Sequence, residues 1–545
     1  MTLLRARWLG RLPYDEAWDL QRAFHEGRAA GRTADDYLLL LEHPPVFTVG
    51  RFGDARNLLT PEAALAELGA VVRAVDRGGD ITFHGPGQLV GYPIRHLGDR
   101  PAVSDHVHSM EEAIILALGD LGIAARREEG LTGVWTDEGK IAAIGVRASR
   151  RVTTHGFAIN VSTDLGWFGH INPCGITDRA VTSASAVLGR RVSLEEMVEV
   201  LLPRFVAVFG YPEAEVQMAA FARGTGKAAP DYEVDRLVEG GAFSPDRADT
   251  IQITRRGLLP GEPEKPRWMK AKLDLGQGYR DIKGLVDGLD LNTVCQEASC
   301  PNLSECWAAG TATFMLLGDV CTRACSFCDV TTGRPGTVDL DEPARVAQAV
   351  ASMDLSHAVL TSVNRDDLAD GGATIFAESI AEIRRARPGC EVEVLIPDFK
   401  GDPAALDIVM DARPEVLNHN TETVVRLQRD IRTAANYGRS LALLWRGGQL
   451  TSGGAVKSGL IVGMGETKEE VLGALADLRA VGVDIVTIGQ YLRPTARHRP
   501  VHRYVHPDEF AEYAAYGHSI GLPHVESGPL VRSSYHAREA RAAAC

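Results

Sequence analysis

The stretch Cys321-Thr-Arg-Ala-Cys325-Ser-Phe-Cys328 places three cysteines within eight residues, at C-x3-C-x2-C spacing. It follows an apolar run at 313–318 that reads as a buried strand. Three thiolates on one short loop can hold three irons of a cubane cluster. The fourth iron then stays open to a small molecule, whereas ferredoxins close the cluster with a fourth cysteine. A structural zinc site also wants a fourth ligand, commonly from C-x2-C pairs. Zinc ligands or plain buried side chains are the rival readings. An open cluster points to chemistry rather than to electron storage or a structural staple.

Outward from this loop, strand and helix signals alternate. Runs at 357–362, 391–396, 416–420, 456–461 and 485–490 read as strands, and 341–353 and 468–481 as helices. Repeated β-α units of this size predict a parallel (β/α) barrel, complete or partial, whose site gathers at the C-terminal ends of the strands. Polar residues stand at those ends: 364–367, 418–420 and Gln490. Upstream, Cys295, Cys300 and Cys306 form a second triplet at C-x4-C-x5-C spacing. It predicts a second iron–sulfur cluster, with a zinc site sharing a distant ligand as the alternative.

The C-x3-C-x2-C loop, with Phe327 before its last cysteine, resembles the radical S-adenosylmethionine superfamily. The two triplets, the Asp366-Asp-Leu-Ala-Asp-Gly-Gly372 run, Asn418-His-Asn420 and the end Gly528-Pro-Leu-Val-Arg-Ser-Ser534-Tyr-His-Ala537 together resemble lipoyl synthases across nearly all of 266–537. The resemblance implies a partial (β/α) TIM-type barrel and two 4Fe–4S clusters. One would sit on Cys321, Cys325 and Cys328 and take S-adenosyl-L-methionine, whose reductive cleavage gives a 5′-deoxyadenosyl radical. The auxiliary cluster would sit on Cys295, Cys300, Cys306 and Ser534, with Ser533 as the alternative serine. It would donate two sulfurs, to C6 and C8 of a protein-bound octanoyl chain. Gly371 and Gly372 would bind the methionine end of the cofactor. Cys390 and Cys545 match no motif.

The first half has its own signature. A helix is expected from about 14 to 26 and a strand at 37–42. Then comes Arg77-Gly-Gly-Asp-Ile-Thr-Phe-His84-Gly-Pro-Gly-Gln88. Its glycines let backbone approach a ligand closely and leave N–H groups free. It lacks the Gly-Lys-Ser/Thr of a P-loop, and a plain tight hairpin is the alternative. Further on stand Gly139-Lys140-Ile-Ala-Ala-Ile-Gly145, Thr154-His155-Gly-Phe-Ala-Ile-Asn160 and Asn172-Pro-Cys174-Gly175. Cys174 lies in a turn, which favours exposure over burial as a small hydrophobe. A thiol attacks as thiolate, and a nearby ammonium such as Lys140 lowers its pKa.

These runs resemble lipoyl(octanoyl) transferases over essentially all of 1–222. That family implies a mixed α+β fold like the biotin and lipoate ligases. It implies Cys174 as acyl-thioester nucleophile and Lys140 as the residue lowering its pKa. Arg77, Gly78, Gly79, Asp80, Ile81, Thr82, Phe83, His84, Ala143, Ile144, Gly145, Gly156, Phe157 and Ala158 would line the acyl site.

At 545 residues the chain exceeds one ordinary domain. The expected division is a transferase domain at 1–222, a breaker-rich linker at 223–265, where 232–239 could form a short helix, and a radical domain at 266–545. A formal net charge of −14 argues against nucleic acid as main partner. No long apolar span suggests a membrane. Six of nine cysteines fall between 295 and 328, a metal pattern of a reducing compartment, so a cytoplasmic location is expected. The resemblances imply a bifunctional enzyme of lipoate biosynthesis. Its partners would be acyl carrier protein, lipoyl carrier domains (2-oxoacid dehydrogenase E2, glycine cleavage H protein) and a reductant such as ferredoxin or flavodoxin. The alternatives are a first half that only docks carriers, and a second half of the biotin synthase kind; an electron-transfer protein is disfavoured by the open three-cysteine site.

Overall fold

The computed structural model describes residues 2–99, 102–173, 179–219, 263–269, 284, 288–289, 291–293, 311–451 and 453–544. The chain divides into two compact units. One is Met1–Phe221 with Asn436–Arg446 and Ala476–Gly482; the other is Ala222–Ala435 with Gly447–Leu475 and Val483–Cys545. The expected linker at 223–265, with its short helix at 232–239, lies outside the described residues apart from 263–265. Among the described residues no helix is long and apolar enough to cross a membrane.

The strands of the first unit are β1 (Leu4–Arg11), β2 (Asp36–Glu42), β3 (Val46–Val49), β4 (Val71–Ala74), β5 (Ile81–His84), β6 (Gln88–Ile94), β7 (Arg126–Glu128), β8 (Leu131–Thr136), β9 (Gly139–Ser149), β10 (Val152–Asn160) and β11 (Ala214–Met218). Eight make a mixed sheet in the order β11-β1-β2-β6-β10-β9-β8-β7, and β4-β3-β5 make a smaller one. Every residue from Tyr37 to Leu41 in β2 is fully buried. A strand covered on both faces needs such an unbroken apolar run. One face takes the helices Val103–Asp120 and Leu194–Phe209, which set Met110, Ile114, Leu201 and Phe205 into one core with Leu38, Leu40 and Ile159. Ser193 caps the second of these helices by accepting the Glu196 N–H, and left-handed Gly210 ends it. The helix Tyr14–Ala29 packs Phe24 against Tyr37, ring centroids 4.1 Å apart.

The second unit carries β12 (Asn292–Thr293), β13 (Thr311–Leu316), β14 (Val320–Cys321), β15 (Thr331–Thr332), β16 (His357–Ser362), β17 (Glu391–Leu395), β18 (Val416–Asn418), β19 (Ala455–Val462), β20 (Ile485–Gln490) and β21 (His524–Gly528). The main sheet runs β12-β13-β16-β17-β18-β19-β20-β21, parallel throughout except for antiparallel β12. The helices Glu342–Ser352, Ala373–Ala386 and Pro403–Asp411 alternate with β13, β16, β17 and β18, as expected for β-α units of a partial barrel. The helix Ala537–Ala544 buries Ala540 against Val416, Ala455 and Ile485, the first residues of three strands. Just inside those strand starts, buried Lys457 Nζ donates to both oxygens of Glu393, at 3.0 and 3.1 Å. Asn418 Nδ2 donates to the same carboxylate at 2.9 Å. Burial pushes the Glu393 carboxyl up, but the lysine outweighs it and holds the pKa at about 2.

Candidate functional site

In the first unit β9 and β10 bring two sequence-expected runs into register. Gly145 faces Gly156, Ile144 faces Phe157, and Ala143 faces Ala158. The loop at 77–80 lies flat on this ladder, with Gly78 N–H donating to the Val146 carbonyl at 3.0 Å. A Cβ on Gly145 would sit 3.0 Å from the Gly78 carbonyl oxygen, so a larger residue would lift the loop. Gly79 takes φ 87°, a conformation that only glycine adopts cheaply. Arg77 is buried and braces the loop: its Nη2 donates to the Thr48 carbonyl at 2.6 Å and to the Thr48 hydroxyl at 2.9 Å. Asp80 accepts the Asp54 N–H and the Asn57 amide. Both therefore shape the loop. Ile81 and Phe83 are core residues of β5, and Phe83 stacks on Trp167 at 5.3 Å.

Buried Thr82 and His84 share that strand. Burial pushes the His84 imidazole well below its ordinary pKa, so it is neutral. A neutral ring places the hydrogen on Nδ1, donating to Gln88 Oε1 at 2.8 Å. Gln88 donates to Asn160 at 2.9 Å, and Asn160 to the Thr182 carbonyl at 3.1 Å. The Thr182 N–H in turn donates to the Lys140 carbonyl at 3.0 Å. One chain of hydrogen bonds thus joins the glycine-rich run to Lys140. The Lys140 ammonium stands 5.3 Å from the Trp135 ring centroid. Cys174 lies outside the described residues; Ala180 and Thr182, further along the sequence, pair with the Lys140 backbone. Sequence reasoning gave no role to His155. It is buried, left-handed at φ 59°, and its Nε2 lies 2.7 Å from Asp76 Oδ1.

In the second unit a cavity of about 570 Å³ opens at the C-terminal ends of the strands. Cys321, Cys325 and Cys328 line it together, with Asn364, His419, Asn420 and Gln490 from strand ends and Ser533 and Ser534 from the tail. Burial pushes the Cys325 thiol up to about 11. Among the described residues no group of three or more His, Cys, Asp or Glu side chains is placed to hold one metal ion. The three thiols of the C-x3-C-x2-C loop meet on one cavity with room for a small molecule beside them, which fits a thiolate-held cluster with a ligand next to it.

Residues 13–206 match the family described as the lipoyl protein ligase A/B catalytic domain, and residues 315–491 match the radical SAM superfamily. The lipoyl synthase of Rubrobacter xylanophilus is 58% identical over 279 residues, which is 51% of this chain and 87% of that protein. The lipoyl synthase of Flavobacterium johnsoniae is 53% identical over 277 residues, 51% of this chain and 96% of that one. The chain belongs to the lipoyl synthase family. Its first half is a ligase A/B-type catalytic domain, so the whole is a fused enzyme of lipoate biosynthesis. Membership of the radical SAM superfamily implies S-adenosylmethionine and 4Fe–4S chemistry.

Within the lipoyl synthase half, the tail serines differ in their surroundings. Asn420 Nδ2 donates to Ser533 Oγ at 2.7 Å, 113 residues away in sequence. Ser534 lines the cavity without sharing that bond. Gly371 and Gly372 are left-handed and lie off the large cavity. A Cβ on Gly371 would meet the Phe399 ring at 2.9 Å, and one on Gly372 would meet Leu317 at 2.3 Å. Gly371 instead lines a smaller cavity of about 130 Å³. Cys295, Cys300 and Cys306 lie outside the described residues. The sequence reading missed Glu422, a half-buried acid on the wall of the large cavity with φ 63°. Burial raises its pKa. A glutamate between two threonines carries no pattern that would single it out.

Proposed function

We propose that this chain moves an octanoyl group from acyl carrier protein to a lysine of a lipoyl carrier domain, and then converts that group to lipoyl. In the first step Cys174 Sγ attacks the octanoyl thioester and the carrier thiol leaves. The target lysine amine then attacks the Cys174 thioester and releases the thiolate. Lys140 stabilises the Cys174 thiolate before it attacks and again as it leaves; the proton given up by Cys174 goes to the departing carrier thiol, and the proton lost by the target amine returns to Cys174. Arg77, Gly78, Gly79, Asp80, Ile81, Thr82, Phe83 and His84 shape one wall of the acyl site, and Ala143, Ile144, Gly145, Gly156, Phe157 and Ala158 the other. In support, those last six residues face one another in register.

In the second step Cys321, Cys325 and Cys328 would hold the cluster that binds S-adenosylmethionine, and Cys295, Cys300, Cys306 and Ser534 the auxiliary cluster. When bound, these groups supply a radical that takes hydrogen from C6 and C8 and the two sulfurs that replace it. The chain's own residues would enclose the acyl chain and exclude water. Engagement of Ser533 by Asn420 favours Ser534 over its neighbour as the serine ligand. Gly371 and Gly372 would help set the methionine end by shaping the loop behind it. The domains would be 1–222 and 266–545 with a linker at 223–265, in the cytoplasm, served by a reductant such as ferredoxin or flavodoxin.

The observation that carries this reading is the meeting of the three thiols and the serine tail on one cavity at the strand ends. The test is a mass-spectrometric time course. Reconstituted, reduced protein receives octanoyl-acyl carrier protein, an unmodified lipoyl carrier domain and S-adenosylmethionine. The carrier should gain octanoyl and then two sulfurs. Octanoyl without sulfur would remove the second step. Sulfur on a pre-octanoylated carrier alone would reduce the first half to a docking module.

A further inference from the structure

Arg323 occupies an unassigned position inside the cysteine loop, yet it is the most heavily tied residue there. Its buried guanidinium donates through Nε to Asp366 Oδ2 at 2.7 Å and through Nη2 to Asp366 Oδ1 at 2.8 Å. The same Nη2 donates to Asp398 Oδ1 at 2.6 Å. Such a fork fixes the plane of the guanidinium as well as its position. Asp398 leads into a rare backbone shape. Phe399 and Lys400 follow it at φ 45° and 53°, both left-handed, and Lys400 Nζ returns to the Asp366 carbonyl at 2.6 Å.

The backbone beside this fork acts on a sulfur. The N–H of Arg323 and the N–H of Asn364 each donate to Cys321 Sγ at 3.4 Å. The two donors belong to one bonded block. Thr322 donates to the Asn364 carbonyl through N at 3.0 Å and through Oγ1 at 2.9 Å. The Asp366 N–H donates to Thr322 Oγ1 at 3.1 Å. Arg323 therefore clamps the segment 321–323 to 364–366, the arrangement that aims both N–H groups at the sulfur.

We infer that Arg323, seated by Asp366 and Asp398, is a positioning residue that holds two N–H donors on the Cys321 sulfur and so sets the reduction potential of the cluster bound there. One-electron reduction by an external reductant adds one negative charge to the cluster. Donors on its sulfur ligands stabilise that more negative state and raise the potential, and burial strengthens their effect. The inference rests on the proposed cluster at Cys321, Cys325 and Cys328.

The test is a potentiometric titration of the anaerobically reconstituted full chain with a low-potential viologen. It follows the electron paramagnetic resonance signal that changes on adding S-adenosylmethionine. In Arg323→Lys and Thr322→Val, neither of which changes the charge near the cluster, the reduced-to-oxidised ratio at the wild-type midpoint should fall about tenfold, a shift of about 59 mV to lower potential for a one-electron couple. Thr322→Val keeps the shape of the site but loses the Oγ1 bonds to the Asn364 carbonyl and from the Asp366 N–H, so it reports the potential even where an Arg323 variant retains no cluster. Asp367→Asn breaks the neighbouring Arg365–Asp367 pair and leaves the Cys321 block whole. It should keep the wild-type midpoint. An Arg323→Lys or Thr322→Val protein with full iron and sulfide and an unchanged midpoint would overturn the inference. A wild-type chain without any signal responsive to S-adenosylmethionine would instead overturn the functional reading.

Discussion

Gly489 in β20 stands opposite Gly528 of β21, and the two glycines differ in what lies over them. A Cβ on Gly489 would come within 2.1 Å of the Val531 carbonyl oxygen and 3.1 Å of its carbon. Those are backbone atoms, so no side-chain rotation relieves the contact, and the tail must retreat by about 1 Å. That tail carries Ser533 on Asn420, and Ser534 on the cavity wall. A misplacement of about 1 Å at a reacting centre costs roughly 10²-fold in rate. Gly489→Ala should therefore slow sulfur insertion into a pre-octanoylated carrier by about 10²-fold. Cleavage of S-adenosylmethionine to 5′-deoxyadenosine depends on the cysteine loop and should stay near wild type. Gly528→Ala is the control, because its Cβ meets only a Val531 methyl, at 3.3 Å. Mass spectrometry counts sulfur on the carrier, and chromatography counts 5′-deoxyadenosine. A Gly489→Ala enzyme that inserts sulfur within threefold of wild type refutes the reasoning.

Three further outcomes are expected. Cys174→Ser and Lys140→Ala should each lower octanoyl transfer by about 10²-fold or more; an octanoyl adduct of the intact protein that survives Cys174→Ala would remove the assignment. Lys457→Met leaves the Glu393 carboxylate buried without its ammonium, with Asn418 and His357 left beside it, and should cost about 3–5 kcal/mol. Adding Glu393→Leu should restore most of it, and urea unfolding in which the double variant is no more stable than the single contradicts this. Because the Glu393 pKa is held at about 2, the stability it contributes is present above its unfolded value and is lost as pH falls toward 2. His106 is buried beside Phe209, and burial followed by Arg95 lowers its pKa to about 4. Its ring is neutral in the fold but protonates in the unfolded chain below about 6.5, so stability drains away between about pH 6.5 and 4. His106→Leu should flatten that slope by about 1.4 kcal/mol per pH unit at most; identical pH slopes in thermal unfolding would show that the ring does not titrate this way.

The strands most legible in the sequence were the ones buried on both faces. The runs at 357–362 and 485–490 stand as His357–Ser362 and Ile485–Gln490, because a covered parallel strand has no polar face to interrupt it. The helix expected at 341–353 spans Glu342–Ser352. β21 went unread, since His-Val-Glu-Ser-Gly lacks an apolar run and joins the sheet through its backbone. Site residues were legible where a cysteine or glycine sat at fixed spacing. Lys457 was not, because a lysine in mid-strand is tolerable only beside Glu393, 64 residues earlier. Arg323 was hidden for another reason: a motif written as C-x3-C treats its intervening residues as free. The bond from Asn420 to Ser533 closes over 113 residues, a distance at which no local pattern speaks.

The left-handed turn at Phe399 and Lys400 has a practical consequence for anyone evolving this protein. Non-glycine residues in that conformation cost on the order of 1–2 kcal/mol each. A selection for heat tolerance alone would be drawn to glycine at Lys400, which relaxes the backbone and lengthens the life of the fold. The same exchange deletes the Nζ bond to the Asp366 carbonyl and loosens the seat of Arg323. Libraries built for stability should hold this turn constant, since it is where robustness and redox tuning pull in opposite directions.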